Sequence, residues 1–291
     1  MKLLAAILFC LFNRAPAPVS VHRVVVAPAE TLSVTATGAG TPVVVIPGML
    51  GGSFGFRKVT AELNAQGDRV IIIDPLGTGG SSRPDKANYS MEAQAARVAA
   101  AMDSLQIGRA LVVGHAAGAP IALRLALLRP ELVSGIVSVN GSASEHFSSG
   151  RMRMALRLAP VLKLFGGQQR AQQHVVNGLR ESSADAAWVT DDVVAEYTAP
   201  YKTDFNGTLR VLKAVAFSKE PWPLLPRLQQ LHVPVVLVLG TGSAKPAVKP
   251  DEVEAMRAAL PTLRIDSVAN AGAFVQEEQP DLLVRAIRAL R

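Results

Sequence analysis

Beyond residue 20 the chain alternates between short β-branched or aliphatic runs and longer stretches whose apolar positions recur at helical spacing. The first kind predicts strands at 21–26, 31–37, 42–46, 69–74, 110–113, 133–139, 233–239 and 264–268. Runs such as Val43-Val44-Val45-Ile46 and Val70-Ile71-Ile72-Ile73 are apolar at every position, as central strands covered on both faces must be. The second kind predicts helices at 54–66, 90–105, 118–128, 251–260 and 280–290. Ser90 is a plausible N-cap, and Pro250 and Pro280 stand at helix starts, where a missing N–H costs nothing. Strand–helix alternation needs crossover connections, so the fold class is α/β, with a mainly parallel eight-stranded sheet flanked by helices. Between 142 and 231 the alternation stops and the pattern is helical. That interval reads as a cap inserted into a core formed by 21–141 and 232–291, with the proline-rich run 221–226 marking the return.

Residues 1–20 stand apart from this pattern. Met1-Lys2 precede an unbroken apolar run, 3–12, and then Asn13-Arg14-Ala15-Pro16-Ala17-Pro18, the layout of a signal peptide or N-terminal anchor. The run is too short to cross a bilayer as a helix. With such a leader the protein is exported, to the periplasm or outside the cell; without one it is cytoplasmic.

Composition narrows the classes further. Of 291 residues 49% are hydrophobic and 18% charged, enough for a buried core and too little charge for disorder. The net charge of +7 suits an anionic surface but names no ligand, and nucleic acid is not expected as a partner. The single cysteine, Cys10, cannot form an internal disulfide, and no Cys/His spacing matches a zinc site. Neither a metal nor another cofactor is expected.

Four segments carry chemistry by position. Gly114-His115-Ala116-Ala117-Gly118 follows a strand and opens a helix, with the Gly-x-nucleophile-x-Gly spacing of a nucleophile elbow. Ile46-Pro47-Gly48-Met49 ends the third strand. Asp74-Pro75-Leu76-Gly77-Thr78-Gly79-Gly80-Ser81-Ser82-Arg83-Pro84 is a D-x-x-G-x-G-x-S loop after the fourth, and Asn270 to Pro280 follows the last. In this order they resemble the capped, esterase- and epoxide-hydrolase-like members of the α/β-hydrolase superfamily, over nearly everything after residue 20.

The resemblance implies a nucleophile at 116, an acid near 243 and a histidine at 273, but the chain has Ala116, Ser243 and Ala273 there. No histidine follows His232, so a slip of a few positions recovers none. Ordinary Ser-His-Asp hydrolysis is therefore not expected. Candidates for replacement chemistry are His146 beside Glu145, at the junction of sheet and cap, and His115 in the elbow. The bland readings are a solvated pair opening the cap and a packing histidine. The resemblance leaves the backbone intact: the N–H groups of Met49 and Ala117, with Gly48 alongside, would form an oxyanion hole at a helix N-terminus.

The cap segment 145–180 carries Arg151, Arg153, Arg157, Lys163, Arg170 and Arg180 against the one acid Glu145, interleaved with Met152, Met154, Leu156 and Phe165. It would cover an apolar ligand while its cations face water or a membrane surface. The expectation is a non-hydrolytic pocket for a small apolar or carbonyl-bearing molecule. The alternative is a lyase-, isomerase- or cyclase-like enzyme using the oxyanion hole, and the third reading is an ester hydrolase with an unrecognised or engineered-out nucleophile.

Overall fold

The computed structural model describes residues 18–144, 153, 154, 156, 167–243 and 245–291. Residues 1–17 of the leader segment and the Glu145–His146 pair, with Arg151, Arg157 and Lys163 of the basic cluster, lie outside the described residues.

Eight strands form one sheet: β1 Ser20–Ala27, β2 Glu30–Thr37, β3 Thr41–Ile46, β4 Asp68–Ile73, β5 Ala110–His115, β6 Val133–Val139, β7 Val235–Gly240 and β8 Arg264–Val268. Their order is β1-β2-β4-β3-β5-β6-β7-β8. β2 runs antiparallel to both its neighbours, and all the other pairs are parallel.

Side-chain alternation along each strand splits the core in two. Val44, Ile46, Ile71, Ile73 and Val112 face α2 (Met91–Ser104), α3 (Gly118–Leu128) and α7 (Pro250–Ala259). Val43, Val45, Val70, Ile72, Leu111 and Val113 face α1 (Arg57–Ala65) and α8 (Pro280–Arg288). Every residue of these runs is buried, which is why they are apolar without a break.

The predicted helix at 54–66 is split. A 3-10 turn, Gly52–Phe56, precedes α1, and Gly51 and Gly52, at positive φ angles of 81° and 47°, mark where the chain enters that turn. β7 starts at Val235 rather than 233, since Pro234 has no N–H to give the ladder and offers only its carbonyl, to Ile136. Ser90 caps α2 as expected, its hydroxyl accepting from Ala93 N–H at 3.2 Å.

The described part of the cap is helical: α4 Gly167–Glu181, α5 Asp191–Thr203 and α6 Phe205–Ala216. Val175, Leu179, Val193 and Tyr197 of these helices pack on Phe274 of the core, forming a third apolar cluster. The cap's return is fixed by the fully buried Arg124 of α3, which donates to Trp222 O at 3.0 Å and lies 4.1 Å over its ring. Among the described residues no helix is long and apolar enough to cross a membrane.

Candidate functional site

The strand ends of β3, β4, β5 and β8 converge beneath the cap. β5 runs into the elbow, where Ala116 occupies a left-handed conformation at φ 48°, strained for any residue with a Cβ. Its N–H is held by Val139 O at 2.9 Å. The turn closes only because Gly118 has no side chain; a Cβ there would collide with the carbonyl oxygen of Ile46. The loop after β3 lies directly against the elbow, since a Cβ at Gly48 would stand 3.4 Å from that of Ala116. The N–H groups of Met49 and Ala117 find no acceptor among the described residues. The elbow thus has its strained geometry and a methyl group at its centre.

The positions at which the resemblance implies an acid and a base hold Ser243 and Ala273. Ser243 donates its hydroxyl to Lys245 O at 2.8 Å within its own loop. Ala273 gives its N–H to Ser182 O of the cap at 2.7 Å, and its carbonyl accepts from His115 Nε2 at 3.0 Å. His115 is buried between the rings of Phe56 and Phe274, both 6.1 Å away centroid to centroid. Burial holds its imidazole below the usual histidine range, against the hydrogen bond to Ala273, so it is a neutral packing residue at neutral pH. The space above the post-β8 loop is filled by rings: Phe274 lies 5.3 Å from Trp188 and 6.2 Å from Tyr197. An imidazole does meet a hydroxyl at His22 Nε2 and Ser20 Oγ, 3.1 Å apart, but on β1 at the exposed edge of the sheet.

A cavity of about 230 Å³ opens between the loop after β3, the loop after β4 and helices α5 and α6. Met49, Leu50, Phe54, Pro200 and Leu212 supply its apolar wall. Asp74, Arg83, Glu196 and Thr208 supply charge and hydrogen-bonding groups. A smaller pocket of about 10 Å³ lies at the elbow, lined by Gly48 and Ala117, and Met49 and Thr78 line both pockets.

Asp74 is the residue that sequence reading passed over; it served only as the first letter of a loop motif. Its side chain is buried, and Oδ2 accepts from Gly80 N–H at 2.9 Å. Ser53 N–H is directed at the same carboxylate and, with Gly80 N–H, favours its charged form. Burial raises the carboxyl to about 6, against the weaker pulls of Gly80, Ser53 and the Arg83 guanidinium. The hydroxyls of the same loop serve its backbone: Ser81 bonds Asp74 O at 2.6 Å and Thr78 bonds Pro75 O at 2.9 Å.

Cap and core are latched by two further carboxylates without a local sequence signal. Glu277, buried, receives Tyr197 OH at 3.0 Å and ion-pairs with Arg57 and with Lys58 at 3.4 Å. Glu278 accepts from Gly272 N–H at 2.9 Å and from Ala184 and Asp185 N–H at 2.7 and 3.1 Å. Among the described residues no group of three His, Cys, Asp or Glu side chains is placed to hold a metal ion. Of the basic cluster, Arg170 and Arg180 are exposed and Arg153 half-buried.

Comparison with known proteins agrees with this geometry. YugF of Bacillus subtilis, named as an uncharacterized hydrolase, is 26% identical over 243 residues, 82% of this chain and 86% of its own. RutD of Azorhizobium caulinodans, named for carbamate hydrolysis, is 31% identical over 216 residues, 71% of this chain and 75% of its own. The crystal structure of Cfl2 from Burkholderia cenocepacia superposes with a TM-score of 0.79 at 21% identity, covering 95% of this chain and 97% of that one. The family model described as alpha/beta hydrolase fold matches residues 41–280. With strand order, elbow and match extending over most of its length, the chain belongs to the α/β-hydrolase fold family.

Proposed function

We propose that this protein binds a small carbonyl-bearing molecule with apolar substituents under its cap and does not hydrolyse it through an acyl-enzyme. The observation that carries this reading is Ala116: the residue at the one place where the turn presents an attacking atom has none. Ser243 and Ala273 support it, the first spent on its own loop and the second offering only backbone atoms. The N–H groups of Met49 and Ala117 would receive a carbonyl oxygen, and the cavity of about 230 Å³ that Met49 lines would take the rest of a compact ligand. A relative named for carbamate hydrolysis points to the same broad class of carbonyl compounds.

A second reading, non-hydrolytic catalysis, draws on Asp74. A carboxyl raised to about 6 exchanges its proton readily near neutrality and lines the same cavity.

Treatment with a fluorophosphonate followed by intact mass measurement, together with a panel of p-nitrophenyl esters, tests both. The expected result is no adduct and no turnover above buffer. A stoichiometric serine adduct would overturn them. Mass spectrometry of small molecules that co-purify with the protein then separates binder from enzyme, since a recovered ligand that stays unaltered on incubation supports the first.

A further inference from the structure

Among the described residues the three most exposed large hydrophobic side chains are Val19, Val21 and Val25, at 66%, 63% and 72%. Val21 and Val25 share one face of β1, the strand at the edge of the sheet, and Val19 precedes it in the same alternation. Val24, on the opposite face, is buried in the core. Across the ladder Val21, Arg23 and Val25 stand opposite Thr35, Ser33 and Thr31 of β2. These six positions thus bring together valines, hydroxyls and one exposed cation, with no carboxylate. Arg23 also donates to Gly80 O of the loop after β4.

The sequence just before this face says what covers it. Residues 3–12 are apolar without exception, and Phe12 lies seven residues from Val19, a reach of at most ~25 Å. A run with no polar position has no side to turn to water, so folding it back on three valines would leave more apolar surface exposed than it covered. A second copy added edge to edge, with Val21 opposite Val25, would set Arg23 against Arg23 and still leave 3–12 uncovered. A lipid surface takes up both at once. Lys2, Arg14 and Arg23 flank the apolar positions and match anionic headgroups. Ala15-Pro16-Ala17 has the small residues of a leader-cleavage site, but the next residue is Pro18, which has no N–H for a peptidase to hold. We propose that the N-terminal segment is retained, and that residues 3–12 and the valine face of β1 together seat the protein on an anionic membrane surface without spanning it.

Flotation of the full chain with vesicles of phosphatidylcholine, alone or mixed with phosphatidylglycerol, tests this, after intact mass measurement of the purified protein. The chain should still carry residues 3–12 and should float with both vesicles, more tightly with the anionic ones. The triple variant Val19→Thr, Val21→Thr, Val25→Thr keeps β-branched side chains at exposed positions, and should bind the anionic vesicles at least about tenfold more weakly. Equal binding by the triple variant and the wild type would overturn the proposal, as would a chain that begins at Pro18 or one that floats with neither vesicle. Light scattering without lipid that gave a dimer for the wild type and a monomer for the triple variant would assign the valines to a second copy instead, and would overturn it too. If the triple variant does not fold, an environment-sensitive fluorophore on Val25→Cys, in a Cys10→Ser chain, decides: its emission should shift to the blue on adding anionic vesicles, and an unchanged spectrum would overturn the proposal.

Discussion

At neutral pH the protein keeps a charge on Asp74 in a place that favours the neutral acid, and removing that charge should stabilise the fold. The carboxyl moves from an ordinary 3.8 to about 6 on folding, chiefly through burial. At ~1.4 kcal/mol per tenfold change in proton affinity, this is worth about 3 kcal/mol. The folded state binds the proton more tightly than the unfolded one. The contribution is therefore fully present below pH 4 and is lost as pH rises through 6. The charged groups around it are Arg83, which favours ionisation, and Glu196 on the same cavity wall. Asp74→Asn keeps the acceptor for Gly80 N–H and has no charge to bury. Relative to wild type it should gain up to about 3 kcal/mol between pH 4 and pH 8, which corresponds to roughly 6–12 °C in Tm at ~2–4 °C per kcal/mol. Urea unfolding of both proteins across that range measures the gap directly, and other carboxylates cancel in the difference. A gap that does not change with pH, or one that moves against the variant as pH rises, would refute the assignment of a buried carboxylate whose charge is disfavoured by desolvation.

Other consequences are simpler to state. Tyr197→Phe removes one hydrogen bond from Glu277, which keeps Arg57 and Lys58, so about 1–2 kcal/mol of stability should go, with faster amide exchange in α5. Burial, and then Glu277, holds the Tyr197 hydroxyl well above its ordinary 10, so wild-type stability should fall as pH rises above about 10, and Tyr197→Phe should flatten that fall in alkaline unfolding curves. Gly118→Ala places a methyl group against the Ile46 carbonyl, backbone on backbone, and should cost at least about 2 kcal/mol in urea unfolding.

The sheet was legible because its signal is local. Each buried strand is a short, unbroken aliphatic run, and β3, β4, β6 and β8 lie within a residue or so of where the runs place them. The elbow was legible for the same reason, its two glycines being required within five consecutive positions. What the chain does not announce is pairing at a distance. Arg57 and Glu277 lie 220 residues apart, and Tyr197 and Glu277 80 apart; nothing near either marks the latch. Asp74 was visible as a letter in a glycine-rich loop, but its burial and the cavity it lines arise only when α5 and α6 fold over it. His115 is drawn into the core by Phe56 and Phe274, a placement that its neighbours in the elbow do not announce. The split at Gly52–Phe56 escaped the helical pattern because apolar spacing does not distinguish a 3-10 turn from the first turn of an α-helix.

The central claim is that the elbow has lost both the attacking atom and the base that would activate one. Ala116→Ser restores the hydroxyl alone, and pre-steady-state mixing of that variant with p-nitrophenyl acetate tests the claim most directly. The account predicts no burst of nitrophenol and no turnover beyond that of the unaltered chain, because a serine without a base stays un-ionised. A stoichiometric burst followed by turnover would contradict it, and would mean that a working proton acceptor faces residue 116.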